Sequence, residues 1–442
     1  MKSKLGHDLG SLDLSSNLTS MVEDALTPKV LELVSVISVK ADEHDAVLYI
    51  VGGFVRDLLL GRLSVDFDLI IDGDAIELAE ELASEYGGQV TVHRRFGTAK
   101  WYLSENISSE TGLHALDLVS ARSESYERPS QLPDVRPSSI RWDLQRRDFT
   151  VNTLAVNLSS DNFGELVDYW GGLDDLKERR LRVLHSRSFI DDPTRILRAV
   201  RLEQRLGFNI SDETLELMLA SLSLLDDVSG DRVRREIERV FREEVPEEVL
   251  SRLDDIGITG AIHSAMVDNV GKWLKKKFVL ARDYRLLSDI VPIYFGLWMY
   301  RLSGDEVLSI CDRLQVSTNI EQSLRQIVRV KAVLSKLDAS AKPSGIVRNL
   351  DNLSDIAVDV LALAVDDQNI RNNIERFRDE LRFVKPMANG RDLMELGVLP
   401  GPGLGRILFR LKEAWLDGAI TNVEEENNLV KLLVAEEEQS EQ

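Results

Sequence analysis

Residues 49–61 read YIVGGFVRDLLLG and residues 65–71 read VDFDLII, and these two stretches decide what kind of fold the chain adopts. In the first, an apolar run stops at two glycines and an apolar-periodic helical pattern begins directly after them, the strand–turn–helix passage of an α/β unit. Gly52 and Gly53 let the backbone approach a ligand closely, the helix start offers unpaired N–H groups, and Arg56 adds a charged fork. Such a turn suits a phosphate, although most Gly-Gly turns are only turns. In the second stretch, alternation places Asp66 and Asp68 on one face of a strand whose Val65, Phe67 and Leu69 face the other way. Two adjacent carboxylates repel unless a cation holds them, and Mg²⁺, which prefers carboxylate and phosphate oxygens, fits that need. An exposed edge strand explains the same spacing equally well.

Outward from these stretches, strand-like segments recur at 46–53, 65–71, 89–93, 98–103, 115–120, 151–158 and 180–184, with one helical pattern at 75–88. After His185 the pattern changes to long amphipathic helices almost to the end. The expected fold class is an α/β or α+β head followed by an elongated all-helical remainder. Asp117 begins another strand-like run, and a sheet that sets this run beside the first two carboxylates would give three ligands for two metals. In two-metal phosphoryl chemistry, one ion promotes the attacking hydroxyl and the other steadies the triphosphate and the leaving pyrophosphate.

Composition bounds the alternatives. A length of 442 residues implies roughly two to four domains. No apolar stretch approaches the ~20 residues of a membrane span, and the first twenty residues resemble neither a secretory signal nor a transit peptide, so a cytoplasmic protein is expected. The single cysteine, Cys311, excludes an internal disulfide and a cysteine-based zinc site. A net charge of −21 argues against nucleic acid in the far field, but phosphate contacts depend on local patches. Charge therefore neither favours nor excludes an RNA partner.

Six ordered blocks carry a family resemblance: GGFVRD (52–57), VDFD (65–68), DLVSAR (117–122), DLQRRDFTVNTLAVN (143–157), GGLDDLKERRLRVL (171–184) and FIDDPTRILRAVRLEQRLGF (189–208). The series resembles the class II tRNA nucleotidyltransferases and bacterial poly(A) polymerases of the polymerase-beta superfamily. The resemblance implies that Asp66 and Asp68 bind the metals with Asp117 as third carboxylate, and that Gly53 and Arg56 contact the triphosphate. It also implies that Arg147 contributes to the nucleotide site, which Asp148 and Asn152 shape. Without it, Arg146, Arg147 and Asp148 read as a surface charge cluster.

In DDPTRILRAVR, Asp192, Arg195, Arg198 and Arg201 recur every three residues after a helix-starting Pro193. An exposed helix face with an ion pair is the commoner meaning of such spacing. Base chemistry supplies another: cytosine and adenine both present an amino donor beside an unprotonated ring nitrogen. Asp192 would accept from the first while Arg195 donates to the second. Uracil and guanine reverse the pattern, at a cost on the order of 1–3 kcal/mol per unpaired group. The resemblance implies the same role for this pair, leaving Arg198 and Arg201 to lie near phosphates or to brace Asp192.

The polar, proline-containing segment 120–145 resembles the flexible loop that full CCA-adding enzymes need to switch from C to A, which argues against CC-only addition. The C-terminal block 389–418 reads as helix, tight turn, helix, and Gly401, Gly403 and Gly405 would allow close approach of an RNA backbone. Arg391, Arg406, Arg410 and Lys412 are candidate phosphate contacts there, and a plain helical hairpin is the alternative. Lys272, Lys275, Lys276 and Lys277 suit a solvated face, as do the acidic stretches EEENN and EEEQSEQ.

The expected organisation is an N-terminal helical or partly disordered segment (1–45), a nucleotidyltransferase head (46–185), a helical neck with the selecting motif (186–246), a helical body (247–380) and a tRNA-binding tail (381–442). The expected activity is Mg²⁺-dependent addition of CCA to the 3′ end of tRNA from CTP and ATP. Related A-adding enzymes often carry extra N-terminal domains for which this chain has no room. A-only addition, poly(A) synthesis and a catalytically silent RNA-binding descendant are the alternatives, and oligomeric state is left open.

Overall fold

In the computed structural model, residues 13, 16–62, 67–125 and 134–440 are described, with side chains to Glu437. The chain forms two compact units, one ending at Arg232 and the other beginning at Val233.

The first unit is built on a mixed sheet. Its elements run α1 (Thr19–Ala25), α2 (Pro28–Glu43), β1 (Val47–Val51), α3 (Gly53–Leu59), β2 (Asp68–Asp72), α4 (Ala75–Tyr86), β3 (Gln89–His93), β4 (Thr98–Tyr102), α5 (Glu105–Thr111) and β5 (Ala115–Ser120). There follow β6 (Arg122–Ser125), β7 (Asp134–Pro137), α6 (Ile140–Gln145), β8 (Ala155–Asn157), β9 (Leu166–Val167), α7 (Gly172–Lys177), β10 (Arg180–Leu181), α8 (Ser188–Asp191) and α9 (Thr194–Leu206). The seven-stranded sheet has the order β3-β4-β5-β2-β1-β8-β9. Every pairing in it is antiparallel except that of β2 with β5. Buried Leu48, Ile50, Leu69, Ile71, Trp101, Leu116 and Leu118 make its core strands apolar.

All seven strand-like segments of the sequence contain strands, although 151–158 yields only Ala155–Asn157 because Thr150–Asn152 turns as a 3₁₀ helix. The helix α3 follows Gly52 as expected, and α5, α6 and α7 add to the helical patterns expected in the head, each too short to show amphipathic periodicity. The helix α2 belongs to this unit as well. Pro28 starts it behind a Thr27 cap, its apolar face (Val30, Leu33, Val34, Ile37) is buried, and Ser38 Oγ donates to the Leu158 carbonyl at 2.7 Å.

The second unit is helical. Its core gathers rings around Phe241, which meets Phe295 edge-on at 4.9 Å between centroids and also touches Phe278, Tyr294 and Trp298. Buried Glu247 holds Arg282 through two bonds of 2.7 and 2.6 Å. Lys277 is also buried, pairing with Asp366 at 2.8 Å, so the lysine cluster is not uniformly a solvated face. Near the C-terminus, Gly390–Glu395 and Pro402–Leu416 form the expected helix–turn–helix, closed by Val423–Ser440 around Leu393, Ile407, Leu411, Val430 and Leu433. One residue of EEENN is misread as solvated. Glu426 is buried, accepting from the N–H groups of Met387 (3.1 Å) and Ala388 (2.6 Å) and from Trp415 Nε1 (2.6 Å). Among the described residues, no helix is long and apolar enough to cross a membrane.

Candidate active site

A cavity of about 460 Å³ in the first unit collects most of the residues singled out in the sequence. Gly53, Arg56 and Asp68 come from the α3 turn and the start of β2, and Arg147, Asp148 and Asn152 from the turn after α6. Asp192, Arg195, Arg198 and Arg201 come from the start and face of α9.

The carboxylate pair is set by strand register. The parallel β2–β5 ladder aligns Leu69 with Leu118, so the residues one step upstream, Asp68 and Asp117, are neighbours on the same face of the sheet. Both are exposed, and Lys100 from β4 pairs with Asp117 at 3.3 Å. Asp66 lies outside the described residues. The donor set fits a hard divalent ion: two exposed carboxylates side by side, with guanidinium groups close by for the phosphates such an ion would bridge.

The Gly-Gly turn is required by geometry. Gly52 has φ +71°, and a Cβ there would stand 2.5 Å from Arg147 Nη1. The turn thus admits the Arg147 guanidinium above it, where it also lies 3.4 Å from buried Asp143. Arg56 is buried and engaged: Nε and Nη2 donate to Asp57, and Nη1 donates to Asn152 Oδ1 at 2.6 Å. Asn152 Nδ2 donates in turn to Asp148 Oδ1 at 2.8 Å, and Asp148 Oδ2 pairs with Arg198 at 2.6 Å. A single chain of polar contacts therefore joins α3, the 148–152 turn and α9. Burial opposes ionisation of Asp148, but the Arg198 charge, the Asn152 amide, the Arg195 charge and the Phe149 N–H prevail and pull its pKa down to about 2. Desolvation lowers the pKa of Arg147 and of Arg56, against the pull of the neighbouring carboxylates.

The Asp192–Arg201 stretch is arranged differently from a plain helix stripe. Asp192 sits before α9 in an extended conformation, and its Oδ1 accepts from Thr194 N (3.0 Å), Thr194 Oγ1 (2.7 Å) and Arg232 Nη2 (2.8 Å). Arg195 is buried, donating through Nη1 to Ser188 Oγ and through Nη2 to the Arg146 carbonyl, both at 2.7 Å. Arg232 braces Asp192, and Arg198, expected either to lie near phosphates or to brace Asp192, pairs with Asp148.

Sequence reasoning missed several participants. Glu124, on β6, lines the cavity and pairs with Arg146 at 3.1 Å. Asp143 is fully buried and accepts from Arg146 at 2.7 Å, so the supposed surface cluster is anchored inside. Its position three and four residues before two arginines was the available signal. Arg205 also lines the cavity, and Arg232 carried no signal. In the second unit, Arg406 pairs with Glu437 and Arg410 with Glu436, while Arg391 is exposed. The space beside Gly403, expected to admit an RNA backbone, is taken by the Glu437 carboxylate.

Residues 48–182 match the family described as Poly A polymerase head domain, and residues 207–266 match one described as a probable RNA and SrmB-binding site of polymerase A. An A-adding tRNA nucleotidyltransferase of Halalkalibacterium halodurans is 30% identical over 418 residues, covering 92% of this chain and 93% of the relative. The chain belongs to the tRNA nucleotidyltransferase family. Another A-adding tRNA nucleotidyltransferase, from Geobacter sulfurreducens, is 35% identical over 87% of this chain, which spans only 45% of that relative's length. Members named CC-adding (Deinococcus radiodurans, 30%) and CCA-adding (Streptococcus uberis, 28%) also match. Among solved structures, a CCA-adding enzyme in its apo form has a TM-score of 0.79 at 29% identity, covering 94% of this chain and 99% of that one. The Thermotoga maritima CCA-adding enzyme complexed with tRNA has a TM-score of 0.73 at 26% identity, with 95% and 98% coverage. The match over most of the Halalkalibacterium enzyme removes chain length as a reason to prefer CCA addition over A addition in this tRNA nucleotidyltransferase.

Proposed function

We propose that the protein transfers nucleotides, without a template, from ATP and CTP to the 3′ end of tRNA, and that addition of the terminal A is its minimum activity. The observation that carries this reading is the convergence of Asp68, Arg147, Asp148, Asp192 and Arg195 on one cavity from three separate chain segments. In the reaction the RNA 3′-hydroxyl gives up its proton, its oxygen bonds to the α-phosphorus, the α–β phosphoanhydride bond breaks, and pyrophosphate leaves. Asp68 and Asp117, with Asp66, would hold Mg²⁺, which supplies positive charge for the oxygens that gain negative charge. Arg147, held over the Gly52 turn, presents a fixed guanidinium to the triphosphate.

Selection of the base falls to Asp192 and Arg195. Among the described residues the bonds to Asp192 fall on Oδ1, which leaves Oδ2 to accept from an amino group of adenine or cytosine. Arg195, fixed by Ser188 and the Arg146 carbonyl, has N–H groups remaining for the adjacent ring nitrogen. The names of the A-adding relatives at 30–35% identity support A addition to a tRNA that already ends in CC. Complete CCA addition is the second reading, supported by the relatives and solved structures named CCA-adding; the 120–145 segment, whose residues 126–133 lie outside the described residues, speaks only against CC-only addition.

The test supplies purified protein and Mg²⁺ with tRNA transcripts ending before CCA, after C and after CC, with labelled CTP and ATP separately and together. A single A on the CC-ending transcript alone establishes the A-adding activity, and CCA on the shortest establishes the complete one. An unbounded A tail, or no transfer at all, refutes both.

A further inference from the structure

The nucleotide cavity shares a wall with a second recess of about 270 Å³. Glu124, Arg146 and Arg195 line both. That wall is fixed by the Arg146–Glu124 pair and by the bond from Arg195 to the Arg146 carbonyl. Beyond it, the recess is formed by Trp142, Gln145, His185 and Asp191. It has room for one nucleobase but not for a nucleoside triphosphate.

The chemistry of this recess differs from that of the cavity. Trp142 is 51% exposed although indole is strongly apolar, so a ring face is available for stacking. Gln145 offers both a donor and an acceptor. His185 is partly buried, and desolvation together with the Arg195 charge lowers its imidazole pKa against the pull of Asp191. Asp191 adds a negative charge, paired at 3.5 Å with Arg187. The Glu124 and Asp191 carboxylates offset the Arg146 and Arg195 charges around the recess, and an aromatic face beside an amide suits an unpaired base.

We propose that this recess receives the base of the RNA's 3′-terminal nucleotide, stacked on Trp142, while the incoming nucleotide occupies the larger cavity. The inference rests on the transfer reaction proposed above. In that reaction the attacking hydroxyl must come within about 3–3.5 Å of the α-phosphorus, so the terminal nucleotide occupies space contiguous with the nucleotide cavity. Arg195, standing in the common wall, then touches the surroundings of both bases, and occupancy of the recess bears directly on the group that selects the next nucleotide.

The experiment compares wild type, W142A and W142F on a tRNA transcript ending in CC and on the same transcript with an abasic 3′-terminal residue. Incorporation of ATP gives KM for each substrate, and fluorescence anisotropy of labelled RNA without nucleotide gives binding in the same samples. For the intact transcript, W142A is expected to raise KM and Kd for RNA about tenfold, with the ATP KM changed less than about twofold and W142F close to wild type. On the abasic transcript, W142A and wild type should coincide. A penalty that persists on the abasic RNA, or that falls on the ATP KM instead, overturns the assignment, as does RNA binding indifferent to Trp142. A wild type that transfers nothing yet binds RNA with this dependence on Trp142 refutes the transfer reading and retains the recess as a base site.

Discussion

Arg195 Nη2 lies 2.7 Å from the backbone carbonyl of Arg146, so the helix proposed to select the base is bonded to the turn proposed to hold the triphosphate. Replacing Arg195 by Ala removes this bond and the one to Ser188, leaving a carbonyl and a hydroxyl in the interior without their donor. R195A is expected to relax discrimination of ATP over UTP and GTP about tenfold or more and to destabilise the first unit on the order of 1–3 kcal/mol. Incorporation ratios and a denaturation curve measure the two effects, and unchanged selectivity over UTP would count against the base-reading role.

Arg232 is expected to act through Asp192. In R232A the carboxylate keeps its bonds to Thr194 but loses its charged neighbour, so its orientation loosens. The expected result is an ATP KM raised about threefold to tenfold, as for a charge-assisted bond at a half-exposed site, with RNA KM little changed. Equal rises in both would mean that the bond only stabilises the fold.

Gly52→Ala tests the turn. The positive φ is costly for alanine, on the order of 1–3 kcal/mol, and its Cβ would displace the Arg147 guanidinium. Loss of at least about tenfold in kcat/KM for ATP is expected from a misplaced phosphate contact. Activity near wild type, with Arg147→Ala severely impaired, would show that Arg147 does not need the turn.

Acid stability should report Asp148. Its folded-state pKa of about 2 is below its ordinary 3.8, so the stabilisation is fully present above about pH 4 and is lost as pH falls toward 2. The contribution is on the order of 2 kcal/mol. D148N should be less stable than wild type at pH 7, with the difference shrinking between pH 4 and pH 2 in equilibrium denaturation. A difference that stays constant through that window would mean that Asp148 does not titrate with the fold.

Glu426→Ala should loosen the C-terminal helices. Two backbone N–H groups and the Trp415 indole lose their acceptor in a buried position, at a cost on the order of 2–4 kcal/mol. Hydrogen exchange should quicken at Met387 and Ala388 first, while the first unit keeps its protection.

Much of the head was legible because its signals are local. Alternation marked the strands, the Gly-Gly turn marked the start of α3, and the parallel β2–β5 register joins Asp117 to Asp68 as the assumed strand order required. Partnerships across segments were not legible. Asp143, Glu124 and Arg232 are charged residues whose roles depend on which side chains the fold brings opposite them, and spacing along the chain carries that information only for Asp143. The tail shows the same limit. Glu426 has the composition of a solvated acidic run, and only the closure of the last helix against Met387 and Ala388 makes it an interior acceptor.

The parallel contact between β2 and β5 has a consequence for how the protein becomes active. Antiparallel neighbours in the sheet, such as β3 and β4, close over a short turn, but β5 reaches β2 only after α4, β3, β4 and α5 have been laid down. Non-local pairing of this kind is slow, because the loop must close before its contacts repay the entropy lost. Asp68 and Asp117 therefore become neighbours late, and a half-folded head lacks the carboxylate pair. If these carboxylates hold the metal as proposed, the metal site forms only once β5 has joined β2.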